Sequence, residues 1–205
     1  MMRKINFKKG MSLVETLVAM SIFVVILLIL TLFQKNIIAF NKFSKESITS
    51  ASDARAILRT MIKEIRSASP GSNGVYPIEQ TSTSTLVFYS DSNDDGLKER
   101  IRYSLVGTML YRGSVTPSGS PVSYNLANES VTTLATDIKN STSTAMFEYF
   151  DNSYAGTSTP LVHHITPTAI RMIRVNLYIE ADPNKAPIPR LYTSQGMLRN
   201  LKDNL

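Results

Sequence analysis

The feature that most constrains this chain is an apolar run from Met11 to Phe33, broken by one charge, Glu15, and by the hydroxyls of Ser12, Thr16, Ser21 and Thr31. As a helix rising about 1.5 Å per residue it reaches roughly 34 Å, enough to cross the hydrocarbon layer of a bilayer. A cleaved secretory signal has a shorter apolar core closed by small residues, whereas this run passes into Gln34-Lys35-Asn36 and a helix-compatible continuation. Four bases, Arg3, Lys4, Lys8 and Lys9, precede it, with no acid before Glu15. The positive-inside rule then places the N-terminus in the cytoplasm and the bulk of the chain beyond the membrane, as a single-pass protein of the cell (inner) membrane. The net charge of +6 is mostly this local cluster, because the remaining bases nearly balance the 16 acids. Basicity therefore speaks for a membrane flank before it speaks for nucleic acid. With no cysteine, neither a disulfide framework, a thiol nucleophile nor a thiolate metal site is available.

A plain signal anchor accounts for everything here except Glu15. An uncompensated carboxylate costs about 2.5–3.5 kcal/mol at the centre of a spanning helix and less towards its end. It calls for a partner, and nothing nearby in the chain supplies one. Around it the sequence reads Lys8-Lys9-Gly10-Met11-Ser12-Leu13-Val14-Glu15, then Thr16-Leu17-Val18-Ala19-Met20. At these residues the chain resembles the type IV pilin and pseudopilin superfamily, with its short basic leader, glycine before the scissile bond and glutamate at the fifth mature position. The resemblance implies that Gly10 precedes the cut, that Met11 becomes the N-methylated first residue, and that Glu15 pairs with the new terminal amine of a neighbouring subunit. A glycine suits a bond that an intramembrane protease must approach closely in extended backbone. Phenylalanine is the commoner first mature residue in the family, so Met11 is a tolerated departure.

No proline or glycine follows the span until Pro70-Gly71, which predicts one helix from Met11 to Ala68. Phe40, Phe43, Ser47, Ala51, Ala54, Leu58, Met61 and Ile65 recur at three- and four-residue steps and form its apolar stripe. Lys42, Lys45, Glu46, Asp53, Arg55, Arg59, Lys63 and Glu64 lie largely elsewhere. After Pro70 the texture turns to short alternating runs rich in serine and threonine. Strands are expected at Thr85–Ser90, Glu99–Leu105, Met109–Gly113, Val131–Ile138, Ala145–Phe150, Ile170–Ile179 and Leu191–Met197. The fold expected is α+β, a long N-terminal helix packed through its amphipathic second half on an antiparallel β-sheet, which is also the family's architecture. Its parts are a leader at 1–10, a transmembrane helix at 11–33, its amphipathic continuation at 34–68 and an extracytoplasmic β-rich domain at 69–205.

A finer resemblance rests on Leu86-Val87-Phe88-Tyr89, Arg100-Ile101-Arg102-Tyr103-Ser104-Leu105, Leu110-Tyr111-Arg112-Gly113 and the closing Leu198-Arg199-Asn200-Leu201. It is similar to the J-type minor pseudopilins of type II secretion and the W-type minor pilins, and implies a minor subunit near a fibre tip. The partners implied are other pilin or pseudopilin subunits, a prepilin peptidase, an inner-membrane assembly platform and the lipid bilayer.

Asp91, Asn93, Asp95 and Gly96 fall at positions one, three, five and six of an EF-hand-like calcium loop. Position twelve is Arg102 where a bidentate glutamate belongs, which leaves Glu99 as a substitute ligand. The Asp-Gly step also suits a bare hairpin turn, the preferred reading, so no cofactor is expected beyond this calcium candidate. His163 and His164 are the only histidines, and adjacent strand residues point to opposite faces. No nucleophile elbow, zincin, phosphate-loop or dinucleotide fingerprint occurs, so an enzyme is not expected. Arg100, Arg102, Arg171 and Arg174 could line a nucleic-acid surface, but exterior strand arginines more often face solvent, and nucleic acid is not an expected partner. The function expected is structural, as a subunit of a type IV pilus or a type II secretion pseudopilus. The alternatives are a DNA-binding competence pilin and a plain single-pass protein with an unrelated head.

Overall fold

The computed structural model describes residue 10 and residues 12–141, 143–162, 165–180 and 189–199. The chain divides into two compact units, Met1–Lys45 and Glu46–Leu205. A single helix, α1 (Leu13–Arg66), begins in the first and ends in the second. It starts at Ser12, whose Oγ accepts the Glu15 N–H at 3.3 Å while its carbonyl accepts Thr16 N–H at 3.1 Å. This is the N-cap half of a Ser-x-x-Glu box, and it satisfies one of the amide donors a helix start leaves open.

In the first unit the stretch Leu13–Ile38 is long and apolar enough to cross a membrane, and none of it is buried. Leu17, Phe23, Leu28, Leu32 and Phe33 are all 60% exposed or more, which a water-soluble surface would not sustain.

The second unit is built on the stripe Ala54, Leu58, Met61 and Ile65, all buried as the spacing predicts, joined by Ile62 and Ala68. Phe40, assigned to the same stripe, is instead 69% exposed. It belongs to the first unit, so the spacing continued past the segment that has a sheet to cover.

Among the described residues eight antiparallel strands follow: β1 (Ile78–Thr81), β2 (Thr85–Ser90), β3 (Glu99–Val106), β4 (Met109–Val115), β5 (Ser130–Ala135), β6 (Phe147–Phe150), β7 (Met172–Ile179) and β8 (Arg190–Met197). They form two sheets, β1-β2-β3-β4-β5 and β6-β7-β8. The α+β class holds, but the second sheet is a refinement of the single one expected. The connection is made by the segment after β5, where Ile138 N–H reaches Thr108 carbonyl on one side and Lys139 N–H reaches Tyr178 carbonyl on the other. That crossing explains why β5 stops at Ala135, short of the expected Ile138. Met146 N–H likewise bonds Thr83 carbonyl, so β6 begins only at Phe147.

Leu86 and Phe88 on β2 face Tyr103 and Ile101 on β3 in register. With Leu110, Phe147, Tyr149, Ile173, Val175 and Leu177 they form one core with the helix stripe. The opposite face of the larger sheet is covered as well. Tyr124 packs on Tyr89 at 5.0 Å between rings, while its hydroxyl accepts Ser72 N–H at 2.9 Å and donates to Lys98 carbonyl at 2.6 Å. Tyr89 is buried beneath this ring, and Val87 of the same strand is buried as well.

Candidate functional site

Within the apolar span the hydroxyls find their partners in the helix itself. Thr16 donates to Leu13 carbonyl at 2.8 Å, Ser21 to Val18 carbonyl at 2.8 Å and Thr31 to Leu28 carbonyl at 2.8 Å. Such back-bonding hides a hydroxyl from lipid at little cost. Glu15 is different: it sits in the first turn of α1, exposed, and its carboxylate has no partner among the described residues. The positive end of the helix dipole favours a negative charge there but does not replace a counter-ion. The span thus presents an apolar surface with one unsatisfied acid near its end. Gly10, also exposed, lies just ahead, with nothing among the described residues that an added side chain would meet. Met11 and the leader bases Arg3, Lys4, Lys8 and Lys9 lie outside the described residues, as do His163, His164, Asn200 and Leu201.

Several charges of the globular unit are paired within it. Glu64, assigned to the polar face of the helix, is buried instead. Tyr103 hydroxyl donates to its Oε2 at 2.5 Å, and Arg112 reaches Oε1 at 2.8 Å from the neighbouring position on β4. Burial, reinforced by the adjacent carboxylate, pushes the Tyr103 phenol far above its ordinary range. On the opposite face Arg100 forks onto Glu79, with both bonds at 2.7 Å, and Arg102 onto Glu129 at 2.8 and 2.7 Å. Arg174 bonds Glu148 at 3.2 Å and lies 4.6 Å from the Phe150 ring centre. Arg100, Arg102 and Arg174 are therefore not solvated strand residues, as expected from sequence, but fixed halves of ion pairs. The glutamates come from 21 to 27 residues away for the first two, a separation that no local pattern reveals.

These pairs carry a pH dependence. Hydrogen bonds from Arg102 hold the Glu129 carboxyl below its ordinary 4.5. Glu79 is raised by burial, but the bonds from Arg100 and Tyr89 outweigh this and leave it lowered too. A carboxyl whose folded pKa lies below its unfolded value favours folding above the unfolded value, and loses that contribution as pH falls through the folded one. Both pairs support the fold at neutral pH and cease to do so as acidity increases below about pH 4.5. Glu129→Gln should flatten the loss of melting temperature between about pH 5 and about pH 3. An acid slope equal to that of the parent chain would contradict the assignment. Gly113 makes the pair possible, because a β-carbon there would collide with the Glu129 carboxylate. Gly113→Ala is expected to displace Glu129 and cost about 1–3 kcal/mol, measured by denaturant unfolding. A neutral substitution would show that Glu129 can move freely.

The acidic loop between β2 and β3 is closed by its own groups. Asp91 accepts Asp95 N–H at 3.1 Å and Gly96 N–H at 3.0 Å, and Lys98 Nζ sits 3.0 Å from its Oδ2. The Lys98 ammonium, followed by those backbone donors, holds the Asp91 carboxyl below its usual range. Asn93 donates to Asp95 at 2.8 Å, Asp95 accepts Leu97 N–H at 2.8 Å, and Glu99 accepts from Ser92 at 2.9 and 3.1 Å. Asp94 and Gly96 both adopt positive φ, at 60° and 89°, which such a turn demands. The four candidate calcium ligands thus serve as turn acceptors, with an ammonium already on Asp91. Among the described residues no group of three or more acids or histidines is arranged to hold a metal.

Residues 5–31 match the family model of the prokaryotic N-terminal methylation motif. The match takes in Lys8 and Lys9 of the basic flank, Gly10, Met11, Glu15 and most of the exposed apolar stretch. No curated protein matches the chain. Together with the apolar helix, the motif supports a type IV pilin-like protein with a membrane anchor, of the kind processed by a prepilin peptidase. Assembly with other pilin-like subunits goes with that class.

Proposed function

We propose that the chain is a minor subunit of a type IV pilus or a type II secretion pseudopilus, inserted with its N-terminus in the cytoplasm and its globular unit across the inner membrane. A peptidase cuts between Gly10 and Met11, the new amine of Met11 is methylated, and the helix passes from lipid into a bundle of like helices at an assembly platform. The observation that carries this reading is the pairing of an unburied apolar span with one acid, Glu15, that has no partner among the described residues. Lipid can solvate the apolar surface but not the charge, whereas a neighbouring subunit's terminal amine answers the charge while its helix covers the surface. The minor role is supported by the sequence resemblance of β2, β3 and β4 to minor subunits.

Orientation can be tested on the natural chain because it has no cysteine. A single Ser92→Cys should react with a membrane-impermeant maleimide in spheroplasts, and Asn6→Cys only after permeabilisation. The opposite labelling pattern would overturn the topology.

A further inference from the structure

Between the last three turns of α1 and strand β8 lies an open groove of about 800 Å³. Its walls carry five cations, Arg55, Arg59, Lys63, Arg66 and Arg199, and its floor is formed by Leu58 and Ile62. Among the described residues no carboxylate lines it. Elsewhere in the globular unit Lys98, Arg100, Arg102, Arg112, Lys139 and Arg174 each hold an acid. The five groove cations have no such partner among the described residues. A cluster of like charges left unpaired beside an apolar floor is costly in isolation and favourable once an anion arrives.

The second observation is the state of β8. Among the described residues it is the last strand of its sheet, paired with β7 alone. Asn176 N–H on β7 turns away from β8, to Met146 carbonyl, whereas Leu198 N–H turns towards β7, to Arg171 carbonyl. With Val175 opposite Ser194 and Asn176 opposite Thr193, this alternation directs the amides of Tyr192, Ser194 and Gly196 at β7. The backbone groups of Leu191, Thr193, Gln195 and Met197 then face outward, and no backbone bond takes them up among the described residues. At Gly196 the strand closes on the helix: a β-carbon there would lie 3.0 Å from Arg66 Cγ and 3.3 Å from Ile62 Cγ2. A free strand edge therefore runs beside a row of unpaired cations.

We propose that this groove receives an acidic, extended segment of a partner chain, which adds to the outer edge of β8 and sets its carboxylates on the cations of α1. Arg55, Arg59 and Lys63 recur every four residues, about 6 Å along the helix, close to the roughly 6.6 Å between alternate side chains of a strand. Main-chain bonds to β8 supply affinity, and the cation row selects acids at alternate positions. A nucleic acid would satisfy the charge but not the strand edge, and no aromatic side chain lines the groove to stack a base. The inference does not depend on the leader being cut.

The test uses the full-length, uncut chain in neutral-detergent micelles, titrated with a fluorescein-labelled peptide of alternating glutamate and valine. Binding is expected, weakening as salt rises, with the Thr193 and Gln195 amides protected from hydrogen exchange in the complex. The double variant Arg55→Glu, Arg59→Glu should bind at least about tenfold more weakly. A peptide of the same composition with a central proline should bind far less, since it cannot pair along the strand. Absent binding, equal binding of the proline peptide, or unprotected β8 amides would overturn the proposal. So would oligothymidylate binding more tightly than the peptide. The exchange measurement needs only the parent chain, so a poorly folded variant leaves the test decisive.

Discussion

Arg112→Ala is expected to destabilise the globular unit by about 3–5 kcal/mol, the range found when one partner of a buried ion pair is removed. The substitution leaves Glu64, 8% exposed, between the helix and the sheet with only the Tyr103 hydroxyl to answer its charge. The Arg112 side chain is 21% exposed and that of Glu64 only 11%, so the cost is chiefly a largely desolvated carboxylate left without its guanidinium. Removing both ends is a different matter. Glu64→Leu combined with Arg112→Leu should recover most of the loss, because a buried pair replaced by apolar groups of similar volume is often close to neutral. Denaturant unfolding followed by tyrosine near-ultraviolet circular dichroism measures both variants. A loss below about 1 kcal/mol for Arg112→Ala would mean that the pair behaves as an exposed one.

Glu15→Leu should leave membrane insertion intact or improve it, since the substitution removes the one charge from the apolar span. Recovery of the chain in the fibre fraction should nevertheless fall at least about tenfold, because a neighbour's terminal amine then has no counter-charge on entering the helix bundle. The two effects have opposite signs, which separates an assembly role from a general defect of folding or insertion. Glu15→Gln, isosteric but uncharged, should behave as the leucine variant does, while Glu15→Asp should retain part of the function. Fibre incorporation equal to the parent's in both uncharged variants would remove Glu15 from the assembly reaction.

The parts of this protein that were legible in the sequence are those fixed by short-range pattern. Thr85–Ser90 was recognisable as a strand because a β-rich run ends at an acidic turn, and the helix stripe from Ala54 to Ile65 because its spacing persists beside a sheet. The helix begins at Leu13, directly after Ser12, and Ser12-x-x-Glu15 was the available signal. What stayed hidden depends on distance along the chain. Ile78–Thr81 is a strand mainly by virtue of its neighbour β2, with a register shift between Ile78 and Gln80, and its four residues show no strict alternation. The fate of Arg100, Arg102 and Arg112 was decided by Glu79, Glu129 and Glu64, none of which lies in a local motif with its partner. Exterior arginines read as solvated because the sequence does not show that Tyr124 and its loop lie over that face. At the N-terminus the methylation-motif stretch was readable, since its chemistry is linear and needs no fold to assemble it.

The central claim is most directly tested by the N-terminus of the mature chain. Co-expression with a prepilin peptidase, followed by intact mass and N-terminal sequencing, should yield a chain that begins at a methylated Met11, while Gly10→Val stays uncut. If the parent chain kept residues 1–10 while the same peptidase processed a control substrate, the account of a cleaved, fibre-forming subunit would be contradicted.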